Sequence, residues 1–147
     1  MPGEKQTRTA YCYAAFTRGK ANATEKTLTQ FANESMRILQ TGINVEKSYI
    51  DVPQIHLNKP HPGWDEMLSD AKRTGIKTLV IPSLPLLSPY ILKVDQLLRK
   101  LKEQYDIEVF FVRENFFTET ADVPKHLSMY FMAEQLMHPI RLNVSEK

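Results

Sequence analysis

Residues 78–92 read TLVIPSLPLLSPYIL, a run without a single Asp, Glu, Lys, Arg or His. An apolar segment of strand length opens it and a proline-rich loop follows. Ser88 with Pro89 directly after it then reads as a helix start. Strand, loop and helix in that order belong to an α/β protein, and the junction between them lies at the carboxyl edge of the sheet, where ligands usually gather. An enzyme acting on a charged substrate would place charges there. This edge is apolar.

The same alternation extends in both directions. Residues 9–16, TAYCYAAF, form an apolar run typical of a strand covered on both faces. Asn22 and Glu25 form a capping pair for a helix with a stripe at Leu28, Phe31, Ala32, Ser35, Ile38 and Leu39, which Gly42 ends. A strand over 45–50 follows, then an irregular segment. A helix opens on Pro62, carries Trp64, Met67, Leu68 and Ala71, and closes at Gly75. The next strand covers 76–81, and the helix after Pro89 buries Ile91, Val94, Leu98, Leu101 and Tyr105. A strand at 107–112 and a last helix over about 122–138 complete the order. This pattern predicts a three-layer α/β/α sandwich around a mostly parallel sheet. It forms one domain over 1–147, with its core at 9–118.

Composition supports an ordinary globular chain. The 147 residues are 42% hydrophobic and 24% charged, with a formal charge of only +2, so a basic patch would have to be local. A single cysteine, Cys12, excludes an internal disulfide and suits a reducing, cytoplasmic setting. Its place in an apolar strand reads as a small buried hydrophobe. The polar N-terminus MPGEKQTR has no signal-peptide core, and the 78–92 run is too short to cross a bilayer. Five scattered glycines make no phosphate loop. His56 and His61 lie in a loop, far from His126 and His138, without cysteine pairs. No metal site and no cofactor are expected. Arg99, Lys100 and Lys102 read as a solvated helix face, and Asp51 as a turn residue at a strand end.

Several segments, in order, resemble one family. Tyr13-Ala14-Ala15-Phe16-Thr17-Arg18 is similar to the Y-A-R-V-S-T opening of the serine recombinase (resolvase/invertase) catalytic domain. Thr27-Leu28 to Gln30 is similar to its S-L-x-x-Q, with the glutamine one place early. Asp51 follows the second strand, and HPGWDEMLSDAKRTGIKTLVI resembles R-P-G-x-x-x-L-L followed by a strand. Residues 81–115 lie where the family has K-L-D-R-L-x-R, a helix and a strand. DVPKHLSMYFMAEQL resembles the start of the long helix used for dimerisation and DNA contact.

The resemblance implies a serine hydroxyl that attacks a DNA phosphodiester, with cations stabilising the transition state. Its serine position carries Thr17, and its motif arginine is Ala15. The arginine before P-G is His61. Ser83, Pro85, Leu86 and Pro89 take the places of the lysine, the aspartate and two arginines. Arg18 and Lys20 remain as DNA-binding candidates. The expected reading is a recombinase-like domain that does not recombine, serving DNA recombination or mobile DNA through oligomerisation. Its partners would be a second copy, an active recombinase or DNA, and no membrane. Leu127, Tyr130, Phe131 and Met137 on the last, broadly apolar helix are the interface candidates. Residues 140–147 are too few for a separate DNA-binding domain. Two alternatives stand beside this reading. One is an active recombinase that uses Thr17, with cations drawn from Arg18, Lys20 or Arg113. The other is an unrelated α/β enzyme or small-ligand binder that shares only the fold.

Overall fold

The computed structural model describes residues 8–16, 24–52, 61–87 and 91–119, together with 123, 125, 127–129 and 132. Five strands form one sheet in the order β2-β1-β3-β4-β5. They are β1 (Arg8–Ala15), β2 (Ile43–Asp51), β3 (Thr78–Ile81), β4 (Glu108–Phe111) and β5 (Phe116–Phe117). The first four are parallel to their neighbours, and β5 runs antiparallel to β4. The expected three-layer α/β/α sandwich around a mostly parallel sheet is the observed architecture. Its fifth strand is an addition: Phe116 and Phe117 pair with Phe111 and Phe110 where the sequence suggests only loop. Two residues are too short a span for periodicity to register.

Strand residues alternate between two cores. Tyr11, Tyr13, Leu79, Ile81, Val109 and Phe111 face one side, with Met67, Leu68, Val94 and Leu98 packed on them from α2 (Pro62–Thr74) and α3 (Ile91–Lys100). Ala10, Cys12, Ala14, Val80 and Phe110 face the other side and meet Leu28, Ala32 and Met36 of α1 (Glu25–Leu39). Burial pushes the Cys12 thiol up to about 12, so it is a packed apolar group at neutral pH.

Helix α1 corrects two local expectations. Its N-cap is Thr24, which exchanges hydrogen bonds with Thr27: Thr27 N–H donates to Thr24 Oγ1 at 3.1 Å and Thr24 N–H donates to Thr27 Oγ1 at 2.9 Å. Glu25 is therefore the first helical residue and no partner in a capping pair. Gln40, in the left-handed region at φ 55°, caps the C-terminus in place of Gly42. The buried row is also different. Leu28, Ala32 and Met36 face the sheet, four residues apart, while Phe31 and Ile38 are 50% and 66% exposed. A narrow contact with a sheet uses one such row, so the wider stripe read from the sequence splits.

Strand β2 begins two residues earlier than 45–50 and carries a register shift between Ala10 and Tyr11 of its partner, which leaves Glu46 without an opposite residue. One extra residue reverses the parity of a strand. Ile43 and Val45 accordingly face α1, whereas Tyr49 faces α2. The α3 helix ends in a π turn over Leu101–Tyr105, closed by Asp106 at φ 56°. At the end of the chain, Leu127 is buried in the core beneath α2 and α3.

Tyrosines join the sheet to α2. Tyr49 Oη donates to Asp70 Oδ2 at 2.7 Å and packs edge-on against Tyr11 at 5.3 Å. The Tyr49 bond, then Arg73 and Lys47, hold the Asp70 carboxyl near 2 instead of 3.8. A carboxyl depressed by folding contributes stability above its unfolded value and loses it as protons bind. Wild-type thermal stability is therefore expected to fall between about pH 4 and 2 through this group. In Tyr49→Phe the folded value moves back toward 3.8, and the drop across that window becomes shallower. Melting temperatures collected against pH for both proteins check this. Parallel curves would remove the Tyr49–Asp70 bond from the account.

Candidate functional site

The chain leaves β1 for β2 on one side and returns from β2 to β3 on the other, so the direction of winding reverses between β1 and β3. The carboxyl edge beside that reversal is where open α/β sheets place their sites. Ala15 and Phe16, Asp51, His61, the 82–87 loop and the 112–115 turn meet there. Thr17, Arg18 and Lys20 lie outside the described residues, as do Pro89, Tyr130, Phe131 and Met137.

Asp51 is the centre of what is described. It is 3% exposed at the end of β2. Gly63 N–H donates to Oδ1 at 2.6 Å, Trp64 N–H to Oδ2 at 3.0 Å, and Tyr13 Oη to Oδ2 at 2.6 Å. The sequence reading of Asp51 as a turn residue is thus corrected. Its carboxylate caps α2 from another element. His61 stands at the N-cap position and makes no side-chain cap bond, and Pro62 at the first position has no N–H to satisfy. The next two N–H groups need an acceptor, and an anion near a helix N-terminus is favourable. Burial, then the hydrogen bond and charge of Asp51, push the Tyr13 hydroxyl well above its ordinary value, so it remains a donor. An ionised carboxylate offers about four acceptor sites. Three are used here, which leaves Asp51 little capacity as a general base or ligand.

Gly63 has a steric reason to be glycine. A Cβ there would lie 2.8 Å from Asp51 Oδ1 and 3.0 Å from Ile50 O. Gly63→Ala is expected to push the helix start away from Asp51 and cost about 1–3 kcal/mol, as overpacking does. Urea unfolding measures it, and an unchanged midpoint would contradict the contact.

The 82–87 loop is held by its own leucines. Leu84 and Leu87 are 1% and 6% exposed, and half-buried Leu86 touches both cores. Leu84–Leu86 forms a single 3₁₀ turn with exposed Pro85 at its second position and extended, half-buried Ser83 before it. The turn at 112–115 closes the loop from the other side. Arg113 N–H donates to Pro82 O at 2.9 Å, and Leu84 N–H donates to Glu114 Oε2 at 3.1 Å. Glu114 Oε1 is buried and has no hydrogen-bond partner among the described residues. Sequence reading did not single out this role of Glu114, because nothing local distinguishes it from any other strand-end acid.

Among the described residues, charge at this edge does not favour a phosphate. Their strand ends and loops bring one full cation, exposed Arg113, beside the Asp51 and Glu114 carboxylates. The first turns of the three helices add Lys26 and Lys93 but also Glu25 and Asp65. The solvated face on α3 is as expected: Arg99 pairs with Asp95 at 2.9 Å, and Lys102 with Glu108 at 2.6 Å. Among the described residues no His, Cys, Asp or Glu cluster could hold a metal, and no helix is long and apolar enough to cross a membrane.

Two solved structures share this arrangement. One is the N-terminal catalytic domain of TP901-1 integrase, at a TM-score of 0.60 and 16% identity over 90% of this chain and 98% of that one. The other is a resolvase family site-specific recombinase from Streptococcus pneumoniae, at a TM-score of 0.55 and 15% identity over 95% of both chains. The fold is the resolvase fold. No protein-family model and no curated protein matches the sequence. Ala15, His61, Ser83, Pro85 and Leu86 stand at this one edge of the sheet. None of these five is a lysine or an arginine.

Proposed function

We propose that this chain is a single resolvase-like domain that does not cut DNA and serves site-specific recombination by assembly. It would assemble with its own copies or with an active recombinase. The observation that carries the reading is the apolar plug at the carboxyl edge. Ser83, Pro85 and Leu86 stand where the family motif sets a lysine, an aspartate and an arginine, and half-buried Leu86 packs against both cores beside buried Leu84 and Leu87, which match the motif's own leucines. A phosphoryl transition state needs positive charge placed in advance, and hydrocarbon supplies none. Asp51, the acid that the resemblance carries over after the second strand, is already committed to Tyr13, Gly63 and Trp64.

Assembly is supported by apolar side chains left on the surface. Met129 and Met132, on the last helical segment, are 59% and 66% exposed. Leu127 from the same segment turns inward, so the proposed interface centres on the methionines and on the neighbouring Tyr130, Phe131 and Met137. The deciding experiment is a supercoiled-plasmid assay in which covalent protein–DNA adducts are trapped by denaturation. Wild type and Thr17→Ala are expected to be indistinguishable. An adduct that disappears in Thr17→Ala would establish an active recombinase instead.

A further inference from the structure

Strand β2 is the outermost strand of the sheet among the described residues. An edge strand presents a row of backbone groups to any strand that approaches. At Val45 that row is already occupied. Asn33 Nδ2 donates to Val45 O at 2.8 Å, and Val45 N–H donates to Asn33 Oδ1 at 2.7 Å. A carboxamide carries one acceptor and a donor pair, the same groups that a residue of an adjoining strand would offer. Asn33 is held in place by its neighbours on α1: Ala32 is fully buried and Met36 is 1% exposed against the sheet. It also meets β2 beside the bulge at Glu46, where pairing is already irregular. Outside this contact an open trough of about 980 Å³ runs along the helix and the strand, lined by Thr29, Glu34, Arg37, Ile43 and Asn44.

We infer that Asn33 is an edge guard, a side-chain amide that takes the place of a neighbouring strand at Val45 and prevents β2 from pairing with β2 of a second copy. The second copy is the partner that the charges fit. Glu46 and Lys47 are adjacent and exposed, so two β2 strands meeting antiparallel about a two-fold would set each against its opposite, with Lys47 turning from its exposed pair with Asp70 at 3.4 Å. Without the guard, an irregular but self-complementary edge is left open. Assembly is thereby kept from this side of the molecule. The inference does not depend on whether the domain cleaves DNA.

The test uses the full chain and an immobilised peptide of residues 43–51, INVEKSYID, as the approaching strand. Wild type is expected to ignore the peptide. Asn33→Ala frees both Val45 groups and is expected to retain the peptide about tenfold more strongly, because two hydrogen bonds become available to it. Asn33→Asp keeps the acceptor for Val45 N–H, adds a charge at the edge and is expected to behave like wild type. Equal capture by the Ala and Asp variants would mean general loosening and would overturn the inference, as would a folded Asn33→Ala that captures no more than wild type. Should Asn33→Ala not fold, hydrogen exchange on wild type decides. The Val45 amide must be protected like the interior amides of β1, and exchange at loop rates would overturn the guard.

Discussion

Asp51→Ala is expected to be the most damaging single substitution at this edge, costing about 3–5 kcal/mol. The loss is more than one hydrogen bond. Gly63 N–H, Trp64 N–H and Tyr13 Oη would all remain in place around an empty volume, and Asp51 is only 3% exposed, so water does not replace the carboxylate freely. Each buried donor left without a partner costs about 1–3 kcal/mol, although neighbours in one network do not add fully. Asp51→Asn should be milder but still clear. An amide has one acceptor oxygen, so its NH₂ must face at least one of the three donors. Tyr13→Phe removes a single donor and should cost roughly 1 kcal/mol, providing the scale. Urea titrations at fixed pH measure all three. The midpoint should move with little change in slope, since the exposed surface is nearly constant. If Asp51→Ala fell within the range of Tyr13→Phe, the carboxylate would not be organising the start of α2.

The second large effect is in chemistry. Strand cleavage by the wild-type chain is expected at background. An arginine that serves a transferring phosphoryl group is worth roughly 10³–10⁵ in rate, and a single lost oxyanion donor about 10²–10³. The five cation positions of the motif hold Ala15, His61, Ser83, Leu86 and Pro89, and such losses combine less than multiplicatively. Even the loss of one arginine removes most of the acceleration. Returning a single cation together with the serine should therefore not restore function. Ala15→Arg with Thr17→Ser is expected to give no adduct, because Ala15 packs against the core beneath α2 and α3 while Ser83, Leu86 and Pro89 still hold no cation. Prolonged incubation with supercoiled plasmid, scored for nicks and for covalent protein, measures this. Cleavage by the double variant would show that the uncharged loop is compatible with phosphate after all.

Much of the framework was legible along the chain, and the reasons are local. Pro62 and Gly75 bracket α2 as their backbone preferences dictate: Pro62 needs no hydrogen-bond acceptor, and Gly75 adopts φ 82° without strain. The run at 9–16 is uncharged because β1 is covered on both faces, so its burial shows in composition alone. The missed features are those that need a second element. Thr24 and Asn22 are equally good caps on paper, and only the path of the chain selects one. Phe31 and Ile38 are helical apolar positions like any others until the sheet takes the Leu28–Ala32–Met36 row. The parity reversal at Glu46 leaves no trace in hydropathy, because β2 is polar on its outer side before and after it.

The candidate site divides along the same line. By itself the sequence determined that the stretch from 78 to 92 carries no charge. It also determined the alternation that makes the stretch a strand, loop and helix at a sheet edge. Only the tertiary structure decided what stands there instead. Leu84 and Leu87 close the core beneath α2 and α3, and Leu86 touches both cores, because β3 delivers the loop to the end of the packed layers. Asp51 became a buried cap and not a free acid because β2 ends against the start of α2, where two N–H groups have no acceptor of their own. A lack of charge is a property of residues one at a time. The use made of each remaining polar group depends on donors that the chain brings from far away, and that is fixed only when the layers pack.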